Sequence, residues 1–199
     1  MKKVDRKETE HLIRKIRKGD LRAFEKLASL HLNTSFRVAF RVLGNKNDAE
    51  DAVQDSWIKI WKNISAFREK ADFSTWMYRI VTNTCMDYLK QRMHRLDYFT
   101  DQRVGLTMAP DHAQNPETLF VNNEQLNLLR RLSGSLPPKQ KMIFILRDLE
   151  GLSPDEVAEV LEMDKDLVKS HLAHARKTLR IKAEKLQKEE ERYYDMRKN

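Results

Sequence analysis

Along most of this chain apolar residues recur three and four positions apart, a spacing that collects them on one face of an α-helix, where a strand would need alternation. Leu12, Ile13 and Ile16 share such a face, as do Leu21, Phe24, Leu27 and Ala28, and then Phe36, Ala39, Phe40 and Leu43. Gly19 and Gly44 stand where helices stop, and Asp20 can cap the helix that follows it. The pattern predicts separate second and third helices, the third over residues 34–43. Asn47 opens a fourth helix, with Glu50 at capping-box spacing. Its apolar stripe is Ala49, Ala52, Val53, Trp57, Ile60 and Trp61, and Asp51, Gln54, Asp55 and Lys59 face away. Residues 67–72 read as a loop. Ser74 then caps a fifth helix that runs to about Arg92, with Met77, Ile80, Val81, Thr84, Cys85, Tyr88 and Leu89 inward.

From Leu96 to Pro116 the period disappears and Gly105, Pro110, Asn115 and Pro116 collect. A structureless stretch of that length fits a linker better than the inside of a domain. Helical spacing resumes near Glu117 with Leu119, Leu126, Leu129 and Leu132. After Pro137 and Pro138 it continues through Met142, Ile143, Ile145, Leu146 and Leu149. Ser153, Pro154 and Glu156 form a strong helix start, with Val157, Ala158 and Leu161 inward. A turn at Glu162–Met163–Asp164 leads to a last helix with Val168, Leu172, Ala175 and Leu179 inward. The expectation is an all-α protein of two small helical domains, residues 8–95 and 117–182. A flexible linker at 96–116 joins them, and a charged tail covers 183–199.

Composition narrows the function. Five glycines and five prolines suit long helices better than a turn-rich sandwich. The net charge of +8 suits a polyanion, and nucleic acid is the commonest one. The lone Cys85 can neither form an internal disulfide nor build a zinc site by itself, so a reducing compartment is expected. There is no apolar run of membrane-spanning length and no apolar core of a signal peptide near the start, which gives a cytoplasmic protein with no membrane insertion. No phosphate-binding glycine loop or nucleophile elbow is present, so no enzyme, no cofactor and no small-molecule substrate are expected. His171 and His174 lie three apart on one helix without a third ligand in view, so no metal site is expected either.

Three constellations carry chemistry. Residues 154–161 and 165–180 match a helix-turn-helix whose second helix turns Lys165, Lys169, Ser170, Ala173, His174, Arg176 and Lys177 outward. Cations there neutralise phosphates, and hydroxyl or imidazole groups reach base edges. Residues 67–91 interleave aromatics with basic and amide groups. Among them Phe67, Arg68, Phe73, Tyr78, Arg79, Asn83 and Lys90 are candidates for unpaired DNA, with Phe67 and Asn83 the favoured base contacts. Trp76 and Tyr88 are expected to pack inside. Third, Asp51, Gln54 and Asp55 with an exposed Ile58 form a partly acidic face that suits a basic partner surface.

Two stretches resemble a known family. DAEDAVQDSWIKIWKNISAFREKADFSTWMYRIVTNTCMDYLKQ (48–91) is similar to conserved region 2 of bacterial sigma factors. SLPPKQKMIFILRDLEGLSPDEVAEVLEMDKDLVKSHLAHARKTLR (135–180) is similar to their region 4. With no segment between them for the middle domain of larger sigma factors, the chain resembles the extracytoplasmic-function (ECF) group of the sigma-70 family. The resemblance implies that Asp51, Gln54, Asp55 and Ile58 meet the clamp helices of core RNA polymerase, and that residues 135–149 meet its flap. It implies that residues 67–90 recognise and melt the minus-ten element, with Asn83 at the base-contacting position and Phe67 opening the pocket loop. Lys169, Ser170, Ala173, His174, Arg176 and Lys177 would face the minus-thirty-five element. An anti-sigma protein, often membrane-anchored in this group, is an implied partner. The sequence departs from the family pattern at His171 and His174, where Arg is frequent, and at Asp166, where Gly is frequent. The competing reading is a helix-turn-helix regulator that binds duplex DNA without entering polymerase.

Overall fold

Side-chain oxygens set the helix starts. In a computed structural model the backbone is described over residues 5–68, 72–101 and 134–198, and side chains within those stretches as far as 93 and 189. Asp5 accepts a hydrogen bond from the Lys7 amide at 3.0 Å and opens α1 (Arg6–Ile16). Asp20 accepts from the Ala23 amide at 3.1 Å and opens α2 (Leu21–Leu43). Asn45 accepts from the Asp48 amide at 3.0 Å and opens α3 (Lys46–Asn63), which tightens into a 3₁₀ turn at Ile64–Ala66. Asp72 accepts from the Ser74 amide at 2.8 Å where α4 (Phe73–Asp101) begins. Each bond satisfies one of the amides that a helix start leaves without an intrahelical partner.

Four expectations are corrected here. The second and third helices are one continuous helix, because the turn around Asn33 keeps His31 and Ser35 on the buried face, and Ser35 Oγ donates to the His31 carbonyl at 3.1 Å. Phe36 and Phe40 consequently lie half-buried and stacked (5.9 Å between ring centres), beside the buried row of Val38, Ala39 and Val42. The caps fall at Asn45 and Asp72 instead of Asn47 and Ser74. Gly44, at φ 74°, ends α2 and leaves the next residue extended, which is the conformation a cap requires. Finally, α4 runs on through residues 96–101, which were expected to begin the linker. The rest of that linker, and the helix expected from Glu117 to Leu132, lie outside the described residues.

The chain divides into two compact units. In the first, α2 packs against α1, α3 and α4, and α3 packs against α4. Ile13, Leu27, Val38, Val42, Ile60, Met77 and Val81, drawn from all four helices, are each at most 1% exposed and form its centre. Cys85 is buried beside them, and burial pushes its thiol up to about 12. His31 is also buried, edge-on to Phe73 at 5.1 Å, with Nε2 unpartnered among the described residues. Burial lowers its pKa to about 4, while the charge of Asp72 pulls the other way.

In the second unit α5 (Pro138–Phe144) starts directly after Pro137, and its continuation winds as a π-helical turn at Ile145–Leu149. Gly151, at φ 77°, turns the chain toward α6 (Pro154–Leu161), and α7 runs from Lys165 to Lys198. The expected capping box forms in both directions: the Ser153 amide donates to the Glu156 carboxylate at 2.6 Å, and the Glu156 amide to the Ser153 hydroxyl at 3.2 Å. α5 packs against α7, and Met142, Ile143, Leu146, Val168, Leu172 and Ala175 are buried.

Candidate nucleic-acid interface

After Gly151 a short helix, a tight turn and a long helix follow one another as the spacing predicts. Glu162 takes the left-handed conformation (φ 51°) that lets the Met163 amide donate to the Ala158 carbonyl at 3.0 Å. Asp164 caps α7 through a 2.7 Å bond from the Asp166 amide, and Lys165 reaches back to Asp155 on α6 at 2.6 Å. These contacts fix where α7 begins and which way its first turns face. Val168, Leu172 and Ala175 are buried, which leaves Lys165, Lys169, Ser170, Ala173, His174, Arg176 and Lys177 exposed on the opposite side. All seven residues expected on that face are therefore on it.

Their charges are not equivalent. Arg176 makes a two-pronged bond to Asp148 on the π turn, with Nε at 2.8 Å and Nη2 at 2.6 Å from the two carboxylate oxygens. That hydrogen bond is the main reason its pKa is raised. Lys169 donates to Asp166 at 2.8 Å, which raises the lysine and lowers the aspartate. Lys177 has no ion pair among the described residues. His174 Nδ1 lies 2.8 Å from the Ser170 carbonyl, so the ring is tethered to its own helix.

In the first unit the structure separates residues that the sequence grouped together. Arg68, Asn83 and Lys90 are exposed, and Arg79 is half-buried. Arg79, Asn83 and Lys90 stand four and seven residues apart on α4, which puts them on one side of the helix. Phe67, Phe73 and Tyr78 are 4%, 4% and 6% exposed, so they offer no free ring face to an unpaired base. The expectation for Phe67 is corrected accordingly. Its ring packs edge-on against Phe73 at 5.7 Å and tilted against Trp76 at 5.2 Å, and Arg17 donates to its carbonyl. Placing the ring there removes a large apolar surface from water and anchors the chain at Phe67, just after the 3₁₀ turn, to the core.

The acidic face of α3 is as expected: Asp51, Gln54 and Asp55 are exposed, and Ile58 is 45% exposed. Two neighbours were missed. Trp61, assigned to the buried stripe, is 38% exposed and rests against Phe24 at 4.8 Å, three residues beyond Ile58 and on the same side. Its seven-residue spacing from Gln54 was the signal available for finding it. Tyr88, expected inside, donates its hydroxyl to Asp55 at 2.9 Å. Its pKa is pushed up to about 12, first by burial, then by that bond and by the negative charges of Asp55, Asp51 and Asp48. Lys59 donates to Thr84 at 3.0 Å and lies 3.8 Å from Asp87. α3 and α4 are thus strapped together along a polar seam, at whose edge the face of α3 carrying Asp51, Gln54 and Ile58 is left open.

Among the described residues no group of three or more His, Cys, Asp or Glu side chains could hold a metal ion, and no helix is long and apolar enough to cross a membrane.

Comparison with known proteins accounts for this pairing of units. Residues 27–95 match the family profile described as sigma-70 region 2, and residues 126–179 match sigma-70, region 4. The chain is 31% identical over 175 residues to the ECF RNA polymerase sigma factor SigW of Bacillus subtilis, which covers 84% of this chain and 92% of that one. It is 30% identical over 180 residues to the ECF RNA polymerase sigma-E factor of Salmonella typhimurium, covering 88% of this chain and 94% of that protein. The fold is similar to CnrH, solved in complex with the cytosolic domain of CnrY: TM-score 0.65, 23% identity, 89% of this chain and 97% of that one. It is also similar to RpoE of Bartonella quintana, solved with the anti-sigma factor NepR: TM-score 0.62, 21% identity, 80% of this chain and 95% of that one. With both regions in the family's order, and full-length relatives above the level at which such likeness arises by chance, this chain belongs to the extracytoplasmic-function group of the sigma-70 family of RNA polymerase sigma factors.

Proposed function

We propose that the chain delivers core RNA polymerase to promoters in the cytoplasm, with its first unit gripping polymerase and an unpaired strand and its second reading duplex DNA. The observation that carries the division of labour is the contrast between two exposed faces. One, on α3, is acidic and partly apolar, through Asp51, Gln54, Asp55 and Ile58 with Trp61 beside them. The other, on α7, is basic, through Lys165, Lys169, His174, Arg176 and Lys177. An acidic face cannot dock on phosphates, and a basic helix behind a tight turn suits the major groove. Arg68, Arg79, Asn83 and Lys90 fit the minus-ten strand. Phe67, Phe73 and Tyr78 support them from the core and hold the loop and helix that present these polar groups.

Two solved relatives of the same fold are bound to other proteins, CnrH to the cytosolic domain of CnrY and RpoE to an anti-sigma factor. A protein antagonist that masks one of these faces is the corresponding expectation for this chain. The test is runoff transcription with bacterial core polymerase over a library of genomic promoters. Start-site-specific RNA that depends on this chain is expected. No association with core enzyme would reduce the protein to a plain helix-turn-helix regulator.

A further inference from the structure

The outward side of the first turns of α7 carries Lys165 and Lys169 among neutral residues, with Asp166 as its one carboxylate. That side chain is 86% exposed, and its partner Lys169, also exposed, lies 2.8 Å away. An ion pair this open to water contributes little to stability, so packing gives no reason for a carboxylate here. Beside a phosphate backbone the carboxylate is repelled. The helix N-terminus favours a carboxylate in its first turn; in a DNA complex a hydrogen-bond donor on a base edge adds to that, and in the major groove only the amino groups of cytosine (N4) and adenine (N6) supply one.

Lys169 decides between them. On a C·G pair the cytosine N4 donor lies beside the O6 and N7 acceptors of guanine, the strongest partners for a lysine in that groove. The Asp166–Lys169 pair presents an acceptor and a donor side by side with the matching polarity. The start of the helix beneath is set by the Asp164 cap, which the Asp166 amide satisfies at 2.7 Å. In helix-turn-helix proteins the first residues of the second helix are the ones that reach base edges.

We propose that Asp166 and Lys169 together read a single C·G base pair, the carboxylate accepting from cytosine N4–H and the ammonium donating to guanine O6 and N7. The inference rests on the reading of α7 as the groove helix. The test uses the full-length chain bound to core polymerase and a duplex library randomised across the upstream promoter element. The wild type is compared with Asp166→Ala and Lys169→Ala, both at exposed positions. The wild type should prefer C·G at one position by about fivefold or more. Both variants should lose that preference at the same position and keep the others, and Lys169→Ala alone should weaken binding to every sequence. Retention of all preferences by Asp166→Ala would overturn the proposal, even if its affinity rises uniformly. So would effects of the two variants at different positions, or at one that is not C·G. Failure of the wild type to enrich any duplex sequence is a separate result, which removes the groove reading and the pair's role with it.

Discussion

Replacing Phe67 by alanine separates a structural ring from a DNA-stacking one. The ring is 4% exposed and packs against Phe73 at 5.7 Å and Trp76 at 5.2 Å. Truncating a buried phenylalanine to alanine costs about 3–5 kcal/mol, through lost transfer energy and the cavity left behind. The sequence supplies a clean reporter, because its three tryptophans, Trp57, Trp61 and Trp76, all lie in the first unit. Urea unfolding followed by tryptophan fluorescence of the full chain therefore reads that unit alone. With a slope of about 1.5 kcal/mol per molar urea, the midpoint should fall by about 2–3 M. Phe67→Leu, which keeps most of the volume, should cost less than about 1.5 kcal/mol and move the midpoint by less than about 1 M. If Phe67→Ala keeps its midpoint within about 0.5 M of wild type while promoter melting fails, the ring is not a core element and the packing argument is refuted.

Three further outcomes are expected. Ser153→Ala removes one half of the capping box and should destabilise the second unit by about 1 kcal/mol, seen as faster hydrogen exchange at the Glu156 amide; unchanged protection there would contradict the cap's role. Lys177→Ala should weaken DNA binding about uniformly across sequences and lower the salt slope by about one, whereas Arg176→Ala should lower it less, because Asp148 already holds that guanidinium. Equal slopes for the two variants would show that the Asp148 bond gives way on binding. His31 has a folded pKa of about 4 against an ordinary 6.5, so the unfolded chain takes up its proton first as pH falls. The stability this residue contributes is complete above pH 6.5 and lost toward pH 4, about 2 kcal/mol of it between pH 7 and pH 5. His31→Leu should flatten that part of the profile, measured by urea unfolding at both pH values.

What could be read from the sequence were features that a few neighbouring residues decide. The Ser153–Glu156 box forms as its spacing dictates, and the outward side of α7 follows from the buried positions of Val168, Leu172 and Ala175. Features that depend on distant partners were not legible. Whether α2 breaks near Asn33 is settled by how His31 and Ser35 pack against α4, through Phe73 and Met77, and local propensity there is nearly neutral. Phe67 sits in a loop, where no period distinguishes an inward ring from an outward one. The commitment of Arg176 to Asp148 joins residues 28 apart, and helical periodicity is blind to such pairs.

α7 is a single rod of 34 residues, about 50 Å long at about 1.5 Å per residue. A major groove about 12 Å wide can hold only a fraction of that length. The portion beyond Arg180, where Arg180 pairs with Glu184 on the helix surface, therefore stands clear of any duplex that the first turns occupy. Stiffness makes it a lever: a tilt of about five degrees at the groove end swings the far end by about 4 Å. Whatever holds the distal half thus sets the angle at which the other half enters DNA, and shortening the rod leaves every reading side chain in place while removing that handle.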